Sequence, residues 1–362
     1  MPANMRVMIV AGGTGGHVFP ALAVAQKLIA QGERVSWVGT KKGIESRVVP
    51  EQQIDIDYIR IQGLRGKGLL GWLSAPFRVV MAVSQALQIC LKRRPDVVLG
   101  MGGFVTGPVG LAAWLLRRPL LIHEQNAIPG MTNKFLARIA SQVMEAFPGS
   151  FEAKYRAIHT GNPVRQEITD VTSPAQRFSE RGTNIRLLVI GGSLGAQALN
   201  ESVPAALATL SLLNRPEVIH QAGRNKQATT ANLYKTLNVD GEVKEFIDDM
   251  AAAYSWADLV ICRAGAMTIA ELAATGVASI LVPYPYAVDD HQTYNAHYLS
   301  EQGAGILLQQ SSLTKESLSE ILGDIMSKGR ENLLAMAEKA RSLAKPNATE
   351  SVVNICKELA YG

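Results

Sequence analysis

The feature that most limits the fold of this 362-residue chain is a strand-like run followed by a glycine-rich loop, which occurs once in each half. Residues 11–17 (AGGTGGH) follow the apolar run 6–11, and residues 191–196 (GGSLGA) follow the run 185–190. Glycine lets backbone N–H groups approach an anion, and a helix start adds a favourable dipole. Either loop alone also fits a turn that only packs a strand against a helix. Two copies at equivalent places favour phosphate binding.

Strand and helix patterns alternate along both halves, which predicts an α/β fold with parallel sheets. The Gly161-Asn162-Pro163 turn closes the front half, and residues 170–183, rich in Thr, Ser, Pro and charge, are interpreted as a linker. We expect two Rossmann-like, doubly wound parallel-sheet domains facing a cleft, residues 1–164 and 165–362, with the final helix free to pack back on the first. The predicted strands are residues 6–11, 34–39, 54–59, 96–100, 119–123, 142–146, 185–190, 218–221, 258–262, 279–283 and 305–308, and two clear helices are 19–30 and 77–92.

The distribution of charge along the chain limits the classes of binding partner. Residues 1–161 carry 19 Lys and Arg against 9 Asp and Glu, whereas the remainder carries 17 against 22. A basic front half suits an anionic membrane or a phosphorylated substrate, and drift in solvated surface charge is the alternative. No zinc-finger spacing or aromatic-interleaved basic run points to nucleic acid.

Cys90, Cys262 and Cys356 form neither a CxxC pair nor a disulfide framework, which favours a reducing cytoplasm.

One uncharged segment, residues 97–116, is long enough to span a bilayer. It contains five glycines and Pro108, and these residues interrupt a single helix. We therefore expect a strand, a glycine turn and a buried helix. The apolar start of the chain, residues 5–11, is short and runs into glycines, so it predicts a first strand and no export signal.

Two common nucleotide-binding classes do not fit. Neither glycine loop has the dinucleotide pattern GxGxxG, and Thr40, Lys41 and Lys42 follow the second strand where an NAD site needs an acid for the ribose. The P-loop pattern GxxxxGK followed by Ser or Thr is also absent. The sequence therefore argues against a nicotinamide dehydrogenase and an ordinary ATPase.

Glycines and polar residues cluster where the fourth and fifth predicted strands end. Residues 100–108 contain the Gly102–Gly103 turn, and residues 123–126 read His-Glu-Gln-Asn. The carboxyl ends of parallel strands share one edge of a sheet, so His17, the glycine turn, Glu124 and Asn126 should converge there. Core packing explains such residues poorly, and we interpret them as functional.

Together these motifs resemble the MurG family, the UDP-N-acetylglucosamine:N-acetylmuramyl-(pentapeptide) pyrophosphoryl-undecaprenol N-acetylglucosaminyltransferases. The resemblance implies a GT-B fold, with an acceptor domain first and a donor domain second. It implies inverting transfer of GlcNAc from UDP-GlcNAc to the 4-hydroxyl of the muramyl sugar of lipid I, giving lipid II in peptidoglycan synthesis, without a cofactor or metal ion. The matching strings, in order along nearly the whole chain, are GGTGGHVFPALAVA (12–25), GLRGKG (63–68), PDVVLGMGGFVTGP (95–108), HEQNAIPGMTNK (123–134), GNPVR (161–165), GGSLGAQALN (191–200), EFIDDMAAAYSWADLVICRAGAMTIAEL (245–272) and DDHQTYNA (289–296).

The resemblance assigns most donor contacts to the second half. Ser193 would face the UDP diphosphate, Ile247 the uracil, Glu271 the ribose hydroxyls and Gln292 the GlcNAc hydroxyls. The helix that opens at Ala266 would offer N–H groups to phosphate. The implied UDP-GlcNAc set is Thr14, Gly15, Gly16, Asn126, Arg165, Ser193, Ile247, Ala266, Met267, Thr268, Ile269, Ala270, Glu271 and Gln292, and the implied acceptor set is Gly102, Gly103, His123 and Asn133. An exposed helix carboxylate is the alternative for Glu271, and a linker salt bridge is the alternative for Arg165.

Inverting transfer needs a base near the acceptor hydroxyl and stabilisation of the departing UDP. His17 is the first candidate, because it follows the glycine loop and histidine is the side chain best suited to act as a base near neutral pH. Glu124 is the second, and its alternative role is to orient His17 or bind the muramyl group. Arg165 and helix N-termini would stabilise the diphosphate in place of a divalent cation. Asp55-Ile56-Asp57 has the DxD form of a metal motif, but its hydrophobic neighbours indicate an exposed strand face.

An apolar run with basic flanks predicts membrane contact. Residues 68–77 (GLLGWLSAPF) lie among Arg60, Arg65, Lys67 and Arg78, and a second apolar cluster, residues 114–116, precedes Arg117 and Arg118. Apolar anchors in a basic surround suit an anionic lipid surface. We expect a peripheral protein on the cytoplasmic face of the bacterial inner membrane, with cell-wall assembly proteins as further partners. A buried loop and helix start is the alternative.

Two other functions stay open on the sequence alone. One is a GT-B transferase with another lipid acceptor, such as diacylglycerol, against which residues 63–68 and 123–134 argue. The other is a non-catalytic nucleotide-sugar-binding or scaffold protein of wall assembly. The joint presence of His17, Glu124, Glu271 and Gln292 argues against it.

Overall fold

The chain divides into two compact units in the computed structural model, which describes residues 4–61, 75–182 and 184–361. The first unit consists of Met1–Arg165 and Asn347–Gly362, and the second of Gln166–Pro346. Each unit is built around one parallel sheet. The chain therefore returns to the first unit for its last helix.

The first unit has a seven-stranded sheet with the order β3-β2-β1-β4-β5-β6-β7 and parallel pairing throughout. Successive side chains of a strand point to opposite faces, so Val7 and Ile9 enter one apolar core while Met8 and Val10 enter the other. Strands covered on both faces are nearly continuous apolar runs. They are β1 Arg6–Val10, β2 Arg34–Gly39, β3 Asp55–Tyr58, β4 Val97–Gly100, β5 Leu120–Glu124, β6 Gln142–Glu145 and β7 Ile158–His159.

Helices cover this sheet, and the C-terminal helix packs against the helix that follows β1. Val352, Val353 and Cys356 of the C-terminal helix enter the same core as Val7 and Ile9. The helices described in this unit are α1 Gly15–Ala30, α2 Glu45–Glu51, α3 Ala75–Arg93, α4 Thr106–Leu115, α5 Met131–Leu136 and α14 Ala348–Tyr361, with a 3-10 turn at Ala153–Tyr155. Helix α3 packs on α4, and α4 packs on α5.

The second unit has a six-stranded parallel sheet with the order β10-β9-β8-β11-β12-β13. Leu187, Val189, Ile261 and Ile280 are fully buried in its core. Its strands are β8 Arg186–Ile190, β9 Glu217–Gln221, β10 Glu242–Lys244, β11 Leu259–Cys262, β12 Ala278–Leu281 and β13 Gly305–Leu307. Its helices are α6 Gln166–Thr169, α7 Pro174–Ser179, α8 Gln197–Thr209, α9 Gln227–Thr236, α10 Met250–Trp256, α11 Ala266–Thr275, α12 His291–Ser300 and α13 Lys315–Ser342, with 3-10 turns at Leu212–Asn214, Val288–Asp290 and Gln310–Ser312.

The sequence located most of these elements. Every predicted strand is present within two residues of its expected ends, and residues 97–116 form β4, a glycine turn and α4. Within the described ranges no helix is long and apolar enough to cross a bilayer. All three cysteines are buried and unpaired.

The linker prediction for residues 170–183 is wrong in its middle, because α7 forms there and packs on α13. Ser173 caps α7 by accepting the Gln176 N–H, and Pro174 occupies its first turn. The short strands β7 and β10 were also not predicted. The DxD residues lie on β3, where Asp55 and Asp57 both pair with Arg93 of α3, which is a structural role.

Candidate active site

The candidate residues of each unit lie where parallel strands end. In the first unit β1 and β4 are neighbours, and the chain leaves them in opposite directions along the sheet. In the second unit the same reversal occurs between β8 and β11. Loops diverge at such a switch point and leave a crevice outside the carboxyl ends of the strands. The first glycine loop follows β1 and the second follows β8, so each loop borders its own crevice.

The first glycine loop packs directly on the turn after β4. Gly102 and Gly103 have φ values of +98° and +85°, which favour glycine. A Cβ at Gly103 would lie 2.3 Å from the carbonyl oxygen of Gly12, and a Cβ at Gly102 would lie 2.5 Å from Nδ1 of His17. The two glycines therefore allow the two loops and the His17 ring to meet.

A buried carboxylate supports this loop from below. Oε2 of Glu45 accepts the Gly13 N–H at 3.0 Å, and Oε1 accepts both the N–H and the hydroxyl of Thr40 at 2.8 Å. Gly12, Gly39 and Gly43 leave the space for this side chain, since a Cβ at any of them would lie within 2.6 Å of a Glu45 atom. The glycine pattern predicts backbone N–H groups that bind a phosphate, but the Gly13 N–H already donates to the Glu45 carboxylate.

His17 lies in the first turn of α1 and is half-buried. Its Nδ1 is 2.8 Å from Oε1 of Gln125, and Nε2 of Gln125 is 3.0 Å from Nδ1 of His123. Nε2 of His123 is 2.9 Å from the carbonyl oxygen of Gly161. Burial lowers the pKa of His123 to about 4, so this ring is neutral at physiological pH.

Glu124 is buried and its carboxylate is saturated with N–H donors. Oε1 accepts from the backbone and side-chain nitrogens of Asn126 at 3.0 and 3.2 Å. Oε2 accepts from the Gly130 N–H at 3.1 Å and from Nδ2 of Asn133 at 2.9 Å. The carboxylate thus holds the loop between β5 and α5 in one conformation.

The remaining first-unit candidates fall into two groups. His123 and Asn133 are buried, with Nδ2 of Asn133 also donating to the His123 carbonyl oxygen. Thr14 is the N-cap of α1, Gly15 and Gly16 form its first turn, and Asn126 and Arg165 are half-buried. The structure brings Gly102 against the His17 ring and Gly103 against the Gly12 backbone, whereas His123 and Asn133 are buried.

In the second unit the second glycine loop packs on the turn after β9. Gly195 and Gly223 have φ values of +71° and +90°, and a Cβ at Gly195 would lie 1.9 Å from the carbonyl oxygen of Ala222. The carbonyl oxygen of Ser193 accepts the Arg224 N–H at 3.1 Å, while the Ser193 side chain is exposed. The loop therefore presents Ser193 outward from a rigid backbone contact.

Helix α11 starts at the crevice between β8 and β11. Its N-cap is Gly265, which offers no side chain, and its first turn contains Ala266, Met267 and Thr268. The first N–H groups of an α-helix have no partner within the helix and carry partial positive charge. Ile269 is buried, and Ala270 is half-buried. Such a helix start is suited to bind an anion.

Three further candidates are hydrogen-bonded to residues outside the predicted site. Oε2 of the half-buried Glu271 accepts the hydroxyl of buried Tyr254 at 3.0 Å. The Ile247 N–H donates to Oε1 of Gln221 at 3.0 Å. Oε1 of Gln292 accepts the Tyr284 N–H at 2.9 Å.

The supporting residues that the sequence did not assign are Gln125, Glu45, Gln221 and Tyr254. Two of them have a sequence signal, because Gln125 and Gln221 stand at the end of a strand, where polar residues face the crevice. Glu45 and Tyr254 carry no such signal, because Gly13 lies 32 residues from Glu45 and Glu271 lies 17 residues from Tyr254.

Exposed apolar side chains lie on the packed helices α3, α4 and α5. Phe77 is 74% exposed, Trp114 50% and Phe135 52%, and Arg78, Arg117 and Arg118 are exposed on or beside the same helices. Residues 68–74 of the predicted membrane patch, with Arg65 and Lys67, lie outside the described residues, as does the 63–68 string. The described part of this surface is apolar with basic neighbours.

Comparisons with known proteins cover nearly the whole chain. Residues 7–145 match the glycosyltransferase family 28 N-terminal domain, and residues 186–353 match the family 28 C-terminal domain. A UDP-N-acetylglucosamine--N-acetylmuramyl-(pentapeptide) pyrophosphoryl-undecaprenol N-acetylglucosamine transferase of Marinobacter nauticus is 52% identical over 99% of this chain and 98% of its own length. The protein of that name from Chromohalobacter salexigens is 54% identical over 98% and 96%.

Solved structures agree with these relatives. The crystal structure of Acinetobacter baumannii MurG has a TM-score of 0.86 and 45% identity, covering 98% of this chain and 99% of that one. The calicheamicin glycosyltransferase CalG4 has a TM-score of 0.69 at 16% identity, covering 99% and 98%, and shows the fold alone. The predicted fold class, two Rossmann-like parallel α/β domains of the GT-B type, is confirmed.

Proposed function

The chain belongs to the MurG family of glycosyltransferases, and on that premise we propose that it transfers GlcNAc from UDP-GlcNAc to the muramyl 4-hydroxyl of lipid I, forming lipid II. The observation that carries this proposal is sequence identity. Two relatives whose names state this activity are 52% and 54% identical to the chain over nearly their full length. The chain is therefore an N-acetylglucosaminyltransferase of peptidoglycan synthesis.

We propose that the second unit binds the donor. The first turn of α11 and the backbone around exposed Ser193 border one crevice, and partial positive charge at a helix start favours a diphosphate. Glu271 presents a carboxylate that Tyr254 already orients, which suits acceptance from ribose hydroxyls. Ile247 and Gln292 are proposed for the uracil and the GlcNAc hydroxyls. The donor contacts implied for Thr14, Gly15, Gly16, Asn126 and Arg165 stay predictions.

We propose that the first unit binds the acceptor and that His17 is the base. The acceptor hydroxyl would give its proton to His17 as its oxygen bonds to the anomeric carbon, and the anomeric C–O bond would break with its electron pair leaving on UDP. The imidazole of His17 lies against Gly102 at the crevice and is half-buried. Glu124 is proposed to shape the acceptor loop, because four N–H donors already occupy its two buried oxygens. Gly102, Gly103, His123 and Asn133 would support this site from the turn and from beneath the loop.

We propose that the protein contacts an anionic membrane through α3, α4 and α5. Support comes from exposed Phe77, Trp114 and Phe135 beside Arg78, Arg117 and Arg118. Burying an aromatic side chain in an interface contributes about 1.5–3 kcal/mol, and each nearby basic residue adds about 1 kcal/mol on an anionic surface. The cytoplasmic face of the inner membrane is the location that the lipid acceptor suggests, and contacts with cell-wall assembly proteins stay predictions.

A transferase assay that compares acceptor substrates tests the proposed function. UDP release is measured with UDP-GlcNAc and either a soluble lipid I analogue, diacylglycerol or no acceptor. We expect rapid release and a coupled disaccharide product only with the lipid I analogue. Transfer to diacylglycerol would instead indicate a different lipid glycosyltransferase, and binding of UDP-GlcNAc without any transfer would indicate a scaffold.

A further inference from the structure

Two buried polar side chains, those of Gln125 and His123, connect His17 to the backbone at Gly161. The connection runs from Nδ1 of His17 through the Gln125 amide and the His123 ring to the Gly161 carbonyl oxygen, with distances of 2.8, 3.0 and 2.9 Å. Gln125 and His123 are 1% and 0% exposed, so water does not compete for the hydrogen bond between them or for the one to Gly161. All four residues belong to the first unit.

The far end of this connection fixes the direction of its hydrogen bonds. A backbone carbonyl oxygen only accepts, so Nε2 of His123 must carry the proton that is donated to Gly161. A neutral imidazole has one protonated nitrogen, and Nδ1 of His123 must therefore accept. The group that faces it must be the NH₂ of Gln125.

A second contact fixes the orientation of the Gln125 amide independently. Nε2 of Gln125 is also 3.3 Å from the carbonyl oxygen of His123, which is again only an acceptor. The NH₂ group thus faces two acceptors, Nδ1 and the carbonyl oxygen of His123, and a flipped amide would place its oxygen against both. Oε1 of Gln125 is left to face His17.

His17 meets this oxygen with Nδ1. An amide oxygen only accepts, so Nδ1 of His17 carries the proton and Nε2 carries the lone pair. A neutral imidazole in water favours the opposite arrangement, with the proton on Nε2. Glu124, which precedes Gln125 in the sequence, accepts from four N–H groups of Asn126, Gly130 and Asn133, so the contact with His17 is made by Gln125.

We propose that Gln125 is a positioning residue that holds neutral His17 in the Nδ1–H form, so that Nε2 is the atom that takes the proton of the acceptor hydroxyl. This inference rests on the proposed role of His17. Gln125 is too buried to contact a substrate, and it acts only through the His17 ring. His123 and Gly161 in turn hold Gln125 in the required orientation.

The direct test is the tautomer of His17 in full-length protein, read from imidazole nitrogen NMR spectra of histidine-labelled enzyme. The His17 signals are assigned by their loss in His17→Asn. We expect a protonated Nδ1 and an unprotonated Nε2 in the wild type, and a shift towards the Nε2–H form in Gln125→Leu. A wild-type His17 protonated on Nε2 would overturn the inference even if Gln125→Leu failed to fold.

Kinetics and a matched control separate positioning from packing. General bases contribute about 10²–10⁴ to rate, and we expect Gln125→Leu to lower kcat roughly 10- to 100-fold, with KM for UDP-GlcNAc changed less than about twofold. Thr106→Val removes a buried hydrogen bond of 2.7 Å to the Gly102 carbonyl oxygen and should leave the His17 tautomer unchanged. An equal tautomer shift in both variants would contradict a specific role for Gln125.

Failure of the inference and of the proposed function give different results. If His17→Ala keeps normal turnover while the wild-type spectrum shows Nδ1–H, the role of His17 as base is wrong and the catalytic part of the inference falls with it. If His17→Ala is inactive while the wild-type spectrum shows Nε2–H, the proposed function stands and the role of Gln125 is wrong.

Discussion

Replacing Glu45 with glutamine should loosen the first glycine loop by a predictable amount. The carboxylate accepts from Gly13 through Oε2 and twice from Thr40 through Oε1. The amide introduced by Glu45→Gln would keep its oxygen on the two Thr40 donors, because that satisfies two bonds, and would turn its NH₂ group towards the Gly13 N–H. One hydrogen bond to a charged group would be lost, at a cost of about 1.5–3 kcal/mol.

Amide hydrogen exchange measures this cost locally. A loss of about 1.5–3 kcal/mol corresponds to roughly 10- to 150-fold faster exchange through local opening, and it should appear at Gly13. The Thr40 amide should change much less in Glu45→Gln, whereas Glu45→Ala should expose both amides. Unchanged exchange at Gly13 in Glu45→Gln would refute the claim that the carboxylate holds the loop.

Four further predictions follow from the site and its surroundings. Gly102→Ala should lower kcat at least about 100-fold, because its Cβ would lie 2.5 Å from Nδ1 of His17. Gly13→Ala is the control, because no atom would lie within 4 Å of its Cβ. It should lower the free energy of unfolding only by the backbone strain of about 1–2 kcal/mol, as measured in an unfolding titration. Glu271→Gln should raise the Kd for UDP-GlcNAc about 10- to 100-fold, and a donor with a deoxyribose should lose this sensitivity if the carboxylate binds ribose hydroxyls. Phe77→Ser should weaken binding to anionic vesicles about tenfold in a flotation assay, while Leu213→Ser, at a side chain 97% exposed in the second unit, should not. Burial lowers the pKa of His220 to about 3, below its unfolded value of about 6.5, so the folded state disfavours the protonated ring. The free energy of unfolding should therefore be highest above about pH 6.5 and should fall as the pH decreases towards 3. In urea titrations at a series of pH values, His220→Gln should make the midpoint depend less on pH.

Local sequence patterns were sufficient for the parts of the fold with strong apolar signals. Strands such as β8 and β11 are buried on both faces and stand out as runs of Leu, Val and Ile. The strand β10 reads Glu-Val-Lys at a sheet edge, and β7 has two residues, so neither has a pattern to detect. For helix α7 the local signals conflict, because Ser173 followed by Pro174 is a helix-start signal while the polar residues around it are typical of a linker.

For the candidate site, the sequence predicted the loops better than the roles of individual side chains. The loops after β1, β4 and β8 were predicted from their glycines and their place after strands, whereas the helix start after β11 was predicted from the family resemblance. Which side chains face the crevice and which support it depends on contacts between distant residues. His123 and Asn133 were assigned to the acceptor from the family pattern, but their burial places them under the loop. Gln125 stands in the same motif, and its role depends on the Gly161 carbonyl oxygen through His123, a contact that spans 38 residues.

Transfer by wild type and His17→Ala under matched conditions tests the central claim most directly. Lipid-linked disaccharide is quantified from UDP-GlcNAc and a lipid I analogue, and the Kd for UDP-GlcNAc is measured by calorimetry on both proteins. We predict β-linked product from the wild type and a loss of about 10²–10⁴ in turnover for His17→Ala, with an unchanged Kd. Near-normal turnover by His17→Ala, or UDP release by the wild type without disaccharide, would contradict the account.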